Sequence, residues 1–355
     1  MRHSVLAGTV LLASIIAFQA SQTPSATTRL RQGSGGQSAL PQTARSTSWK
    51  LPRTPDGQPD LQGVWLNATA TPLERPKALE GRSTLTDAEV ENLKRNADRL
   101  FRDGNADLPV GDNLFLTALA NPDQYRSPNG SNRSAAYLIP REFEHRTSLI
   151  IDPPDGRIPA LTPEAQQRRA ALAAKERALA GPEDLNNNTR CVATGVPRIG
   201  GVGADPQYGY YQIAQGHGYV EILMEAIHDV RIIPLDGRPH LPPSIHQWSG
   251  DPRGRWDGAT LIVDTTNFAP TSNFLGSSDR LHLVERFTRV SADTIDYQVT
   301  ADDPTTWTKP WTALVHLKQM TGNVYEYACH EGNEDSMLEI LAIARAAEKG
   351  AKPRK

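Results

Sequence analysis

Residues 281–301 read LHLVERFTRVSADTIDYQVTA, and this stretch decides the fold. In its first half Leu281, Leu283, Glu285, Phe287 and Arg289 share one side, and His282, Val284, Arg286, Thr288 and Val290 the other. A period of two is that of a β-strand, whose successive side chains point to opposite faces. Ser291-Ala292-Asp293 then turns the chain, and 294–301 returns as the next strand. Working outward, the pattern repeats. Upstream, Arg255-Trp256 and 259–265 flank Asp257-Gly258, a dipeptide suited to a tight hairpin. Before that come expected strands at 211–215, 219–224 and 230–234. Downstream, 307–319 and 324–328 complete a meander. About eight to ten short strands joined by tight turns imply a mainly β fold. The expected architecture is an antiparallel meander forming a barrel or strongly curved sheet, with flanking helices and long loops.

Three helices are expected beside the sheet, at about 86–102, 163–180 and 335–348. Thr86-Asp87-Ala88-Glu89 is a capping box, in which the hydroxyl accepts from an early amide and the carboxylate reaches back. Leu85 and Val90 are placed as a hydrophobic staple, and Val90, Leu93, Ala97, Leu100 and Phe101 follow at helical spacing. The second helix opens on Thr162-Pro163-Glu164 and is rich in alanine, which predicts a surface helix. Residues 104–133 are rich in Asn, Pro and Gly and read as one long loop anchored by Tyr125. A further strand is expected to end at Ile151. The glycines at 200–203 lack the following Lys-Ser/Thr of a phosphate loop, so that reading is rejected.

The first 20 residues, MRHSVLAGTVLLASIIAFQA, have a basic start and a short apolar run, the pattern of a signal peptide. Residues 21–48 are small and polar and predict a disordered linker. The remainder, 49–349, reads as a single β-rich domain with helical additions. Net charge is -2, with no basic block, so nothing points to nucleic acid. No stretch beyond the signal is apolar and long enough for membrane insertion. The chain holds two cysteines. In an oxidising compartment Cys191 and Cys329 would form a disulfide; the alternative is two buried thiols.

The candidate chemistry gathers in 228–268 and around Cys329. Continuing the alternation of Val220, Ile222, Met224 and Ala226 puts His228 on the interior side, as general base or ligand. Asp229 and Arg231 then fall on the other face as an ion pair or as members of the catalytic group. His240 and His246 flank a loop stiffened by two prolines. With His228 they would make three histidines, enough for zinc with an open position, although the spacing matches no metal signature. Trp248 and Trp256 would line a pocket, and Arg231 or Arg253 would hold an anionic group. His330 is a second acid–base candidate, with Glu331 beside it contacting substrate.

The segments GRWDGATLIVDTTNF (254–268), HDVRIIPLDGRPH (228–240), DDPTTWTKPWT (302–312) and YEYACHEGN (325–333) together resemble an uncharacterised family of exported, β-rich bacterial proteins. That resemblance implies export and a β fold and carries no activity. Gly63-Val64-Trp65 on an opening strand is similar to the lipocalin-like barrels, where the Trp closes one end. The expectation is an exported enzyme acting on a small polar or glycosidic organic molecule by histidine acid–base chemistry. Two other readings stay open: a periplasmic small-molecule binding or carrier protein, and a structural envelope protein using a sheet edge.

Overall fold

A computed structural model describes residues 49–101, 112–120, 142–177, 179, 181–193, 195–199, 209–271 and 274–348. The signal and linker segments, the loop around Tyr125 and the glycines at 200–203 lie outside the described residues. Ten strands form one antiparallel sheet: β1 (Gly63–Asn67), β2 (Ile150–Asp152), β3 (Tyr210–Gly216), β4 (Tyr219–Met224), β5 (Asp229–Pro234), β6 (Asp251–Asp257), β7 (Thr260–Thr266), β8 (His282–Arg289), β9 (Thr294–Asp302) and β10 (Trp311–Met320). Their order is β5-β4-β3-β1-β10-β9-β8-β7-β6, with β2 added against β10. The sheet curls into a nearly closed barrel.

The 281–301 stretch behaves as its alternation requires. Phe287 faces Tyr297, Glu285 faces Val299 and Leu283 faces Ala301 across the β8–β9 ladder, and all six are buried. The Phe287 and Tyr297 rings stack at 4.5 Å between centroids. Such a pair adds about 0.5–1.5 kcal/mol beyond the apolar area it buries.

Side chains fill the interior. Arg231 points inward from β5 and forms a bidentate pair with Glu285, Nη1 donating to Oε1 at 3.0 Å. Its Nη2 also donates to Thr265 Oγ1 at 3.2 Å, and the Tyr297 hydroxyl donates to Glu285 Oε1 at 2.6 Å. Burying two charges is tolerable because nearly every lone pair and proton here has a partner. Trp65 is fully buried, its Nε1 donating to the Leu61 carbonyl at 2.8 Å. The Arg289 guanidinium lies 5.2 Å from its ring centroid and donates to the Asp60 carbonyl.

Closure depends on one glycine. A Cβ on Gly254 of β6 would lie 2.6 Å from Leu235 Cδ2 and 2.7 Å from Ile233 Cγ2. The two end strands of the order, β5 and β6, approach only because that position has no side chain.

Among the described residues four α-helices accompany the sheet: α1 (Asp87–Phe101), α2 (Asp112–Leu119), α3 (Pro163–Arg177) and α4 (Asn333–Glu348). The capping box of α1 is formed, Glu89 Oε2 accepting from the Thr86 amide at 2.8 Å and Thr86 Oγ1 accepting from the Glu89 amide at 3.3 Å. Those bonds and the neighbouring Arg82 pull the Glu89 carboxyl down to about 2.

Five expectations change. Residues 112–119, read as loop, form α2, whose Leu114, Phe115 and Ala118 pack with Val90, Leu93 and Ala97 of α1 in a second core. Residues 324–328 are not a strand, and β10 begins at Trp311 rather than 307. The strand ending at 151 is reduced to the three residues of β2. The alternation through β4 also does not continue into β5, for a reason that belongs to the site.

Candidate functional site

A groove of about 230 Å³ opens beside the β4–β5 connection. It is lined by Leu223, Glu225, His228, Val324, Tyr325 and Glu326. One wall comes from the connection itself. After Met224 the chain makes a 3-10 turn, Ala226–His228, in which Ile227 has φ 60° and His228 φ 40°. These are left-handed values that a β-branched residue adopts only at a cost of roughly 1–2 kcal/mol. Burial of Ala226 and Ile227 beneath the turn offsets that cost. The turn resets the register. Met224 and Ala226 stay inside as the alternation predicts, but His228 emerges into solvent and Arg231 and Ile233 become the inward residues of β5. The expected placement of His228 inside and Arg231 outside is thereby reversed. Non-glycine residues held in such a conformation gather at functional sites.

The other wall is chain that has left the sheet. Beyond Met320 it runs unpaired as strand to Cys329, which is disulfide-bonded to Cys191. Asn333 Nδ2 donates to the Thr189 carbonyl at 2.8 Å, a second tie at the same place. The Tyr325 amide donates to Glu225 Oε2 at 3.2 Å, joining the two walls. Tyr325 is 73% exposed.

Asp229 lies immediately behind His228. Burial raises the proton affinity of its carboxyl, against the opposing charge of Arg198 and a 3.4 Å hydrogen bond from Ser249 Oγ. A carboxyl so perturbed beside an exposed imidazole is the kind of group that proton-transfer sites use.

The remaining predicted residues are elsewhere. His330 and Glu331 are exposed in the turn before α4 and do not line the groove. Segment 324–326, just upstream of them, does. Arg231 is occupied inside the barrel by Glu285. Arg253 donates to Asp251 Oδ1 at 2.6 Å and to the Pro239 carbonyl at 3.0 Å. Trp256 is half-buried against the barrel core, and Trp248 is 41% exposed on the proline loop.

His240 belongs to a separate array on the outer face of β6 and β7. Its Nδ1 is 3.1 Å from Asp251 Oδ2 and its Nε2 3.0 Å from Asp264 Oδ1, while His282 Nε2 is 3.0 Å from Asp264 Oδ2. The hydrogen bond to Asp264 raises the His282 pKa. Asp264 is lowered overall: burial opposes ionisation, but the bonds from His282 and His240 outweigh it. His246 Nδ1 meets the Phe268 carbonyl at 2.9 Å. This array braces the proline loop to the barrel. His228, His240 and His246 thus have different surroundings, and among the described residues no group of three or more His, Cys, Asp or Glu is placed to hold a metal ion.

Glu225, Tyr325 and Glu326 were not singled out from the sequence as site residues. The signals were present but faint: Glu225 on the polar side of the β4 alternation one step before the turn, and a Tyr-Glu-Tyr run just before Cys329. Among the described residues no helix is long and apolar enough to cross a membrane. Comparison of the chain with protein-family models, with curated proteins and with solved structures finds no match.

Proposed function

We propose that the protein is an exported enzyme that acts on a small polar or glycosidic molecule by acid–base chemistry in this groove. The observation that supports it is the convergence of an exposed His228, on strained backbone, with the carboxylates of Glu225 and Glu326 in one groove. His228 serves as general base. Glu225 and Glu326 orient the substrate by hydrogen bonds, and the exposed Tyr325 ring offers a face for stacking. The oxidised Cys191–Cys329 pair fits a compartment outside the reducing cytosol, as a signal peptide at 1–20 requires. A carrier of lipocalin type would hold its ligand within the barrel. Here Trp65, Tyr211, Phe287, Tyr297 and the Arg231–Glu285 pair occupy that space. That favours chemistry at the surface groove over transport in the interior.

The test is turnover of a panel of small glycosides, esters and lactones by the purified oxidised protein, beside His228→Gln. The variant is expected to lose roughly 10²–10⁴-fold in kcat, the usual worth of a general base, with an unchanged circular dichroism spectrum. Undiminished turnover in His228→Gln would overturn the assignment. Saturable binding of panel compounds with no turnover of any would replace the enzyme with a binding protein.

A further inference from the structure

We infer that the groove selects a positively charged ligand: a small organic ammonium or guanidinium whose cation is attached to an apolar or aromatic body. This rests on the groove being the functional site, as proposed above, and adds the chemical class of its ligand.

The first argument is charge. Among the described residues the groove is lined by two carboxylates, Glu225 and Glu326, and one imidazole, with no lysine or arginine. The arginines that sequence reasoning assigned to an anion are engaged elsewhere. Arg231 is held by Glu285 inside the barrel, and Arg253 by Asp251 at the brace of the proline loop. An anionic ligand would therefore meet two like charges and no counter-charge among the described lining residues. A cation would meet two opposite charges, each attraction being strengthened where the groove excludes water.

The second argument is the apolar surface around those charges. Leu223 and Val324 form sides of the groove, and Tyr325 presents its ring. An aromatic face attracts a cation through its quadrupole, so Tyr325 and the carboxylates favour the same ligand. Continuing along the outer face of β4 and β5, Leu223 lies opposite Val230, and Glu221 opposite Ile232. Val230 is 45% exposed and Ile232 61%. An apolar strip carrying another carboxylate thus leads away from the groove and offers a place for the ligand's body.

The third argument is room. A volume of about 230 Å³ falls below the roughly 300–1,000 Å³ of sites that enclose drug-sized molecules. Among the described residues one oxygen of Glu225 is used, accepting from the Tyr325 amide. The groove therefore suits a compact cation rather than a polymer.

The experiment is isothermal titration calorimetry of the oxidised protein with three probes of nearly one shape: benzylamine, benzyl alcohol and benzoate. Benzylamine is expected to bind best, and its affinity to fall as salt is raised. Glu326→Gln, at an exposed position, is expected to weaken benzylamine about tenfold and leave benzyl alcohol unchanged. Glu225→Gln keeps an acceptor for the Tyr325 amide and is expected to behave likewise. Benzoate binding as tightly as benzylamine would overturn the inference, and so would benzylamine affinity indifferent to both substitutions. The two proposals fail separately. Benzylamine binding in His228→Gln, with no turnover of any compound by the native protein, would keep the cation site and remove the enzyme. Turnover lost in His228→Gln, with no benzylamine binding to the native protein, would do the reverse.

Discussion

Asp112 shows how a single residue can set a pH dependence that its sequence neighbours do not announce. It opens α2, and its two oxygens accept from the Leu73 amide at 3.3 and 3.2 Å. Burial, with help from the charge of Glu74, pushes its carboxyl up to about 6 despite that hydrogen bond. The folded protein therefore holds the proton more tightly than the unfolded chain does. The stability this group supplies is present in acid and is lost as pH rises from about 4 through 6. Asp112→Asn keeps an acceptor for Leu73 and removes the charge. It is expected to stabilise the protein at pH 7 by on the order of 2–3 kcal/mol and to leave it unchanged near pH 3.5. Urea denaturation at the two pH values measures this, and equal effects at both would refute it. Nothing in Asp-Asn-Leu-Phe foretold the burial, because burial is a property of what packs around a residue. The same limit applied at His228. Its residue type drew attention to it, but its outward direction depends on left-handed backbone at Ile227 and His228, and isoleucine gives no warning of positive φ.

At the scale of elements, alternation was a reliable guide wherever a partner strand existed. β8 and β9 follow the pattern residue by residue, and the Asp257-Gly258 turn joins β6 to β7. Residues 324–328 alternate too, yet they form no strand. β10 is already paired with β9 on one side and with β1 and β2 on the other, and periodicity alone cannot supply a free edge. α2 escaped notice because its eight residues sit in Asn- and Pro-rich surroundings. The closure of the barrel was equally hidden, since a glycine within Arg-Gly-Arg reads as ordinary loop-forming sequence. Gly254→Ala is expected to destabilise by about 1–3 kcal/mol, the usual cost of overpacking. Amide exchange should quicken in β5 and β6 before it does in β8 and β9. Exchange that rises equally in all four strands would show that the β5–β6 approach is not the place where the added methyl acts.

At the scale of the molecule, the barrel and the α1–α2 core are built from their own contacts, whereas the groove is not. One wall belongs to the β4–β5 turn. The other is a segment outside the sheet, joined to it by the Tyr325 amide and fixed downstream by the Cys191–Cys329 bridge. The bridge spans 138 residues. For loops of that order chain entropy predicts a stabilisation of on the order of 4–5 kcal/mol. Reduction, or Cys329→Ser, is therefore expected to lower the melting temperature and to weaken benzylamine binding more than the far-UV spectrum changes. Benzylamine affinity that survives reduction would show that the wall stands without the bridge.

The place of β1 in the sheet has a further consequence, in the timing of synthesis. Residues 63–67 are made early, yet their two neighbours are β3, at 210–216, and β10, at 311–320. As the ribosome works, the first strand waits for nearly the whole chain before its second partner exists. Pairing over such separations is slow to form. Until its last strand is made, the sheet of a polypeptide of this order is incomplete on both sides of β10.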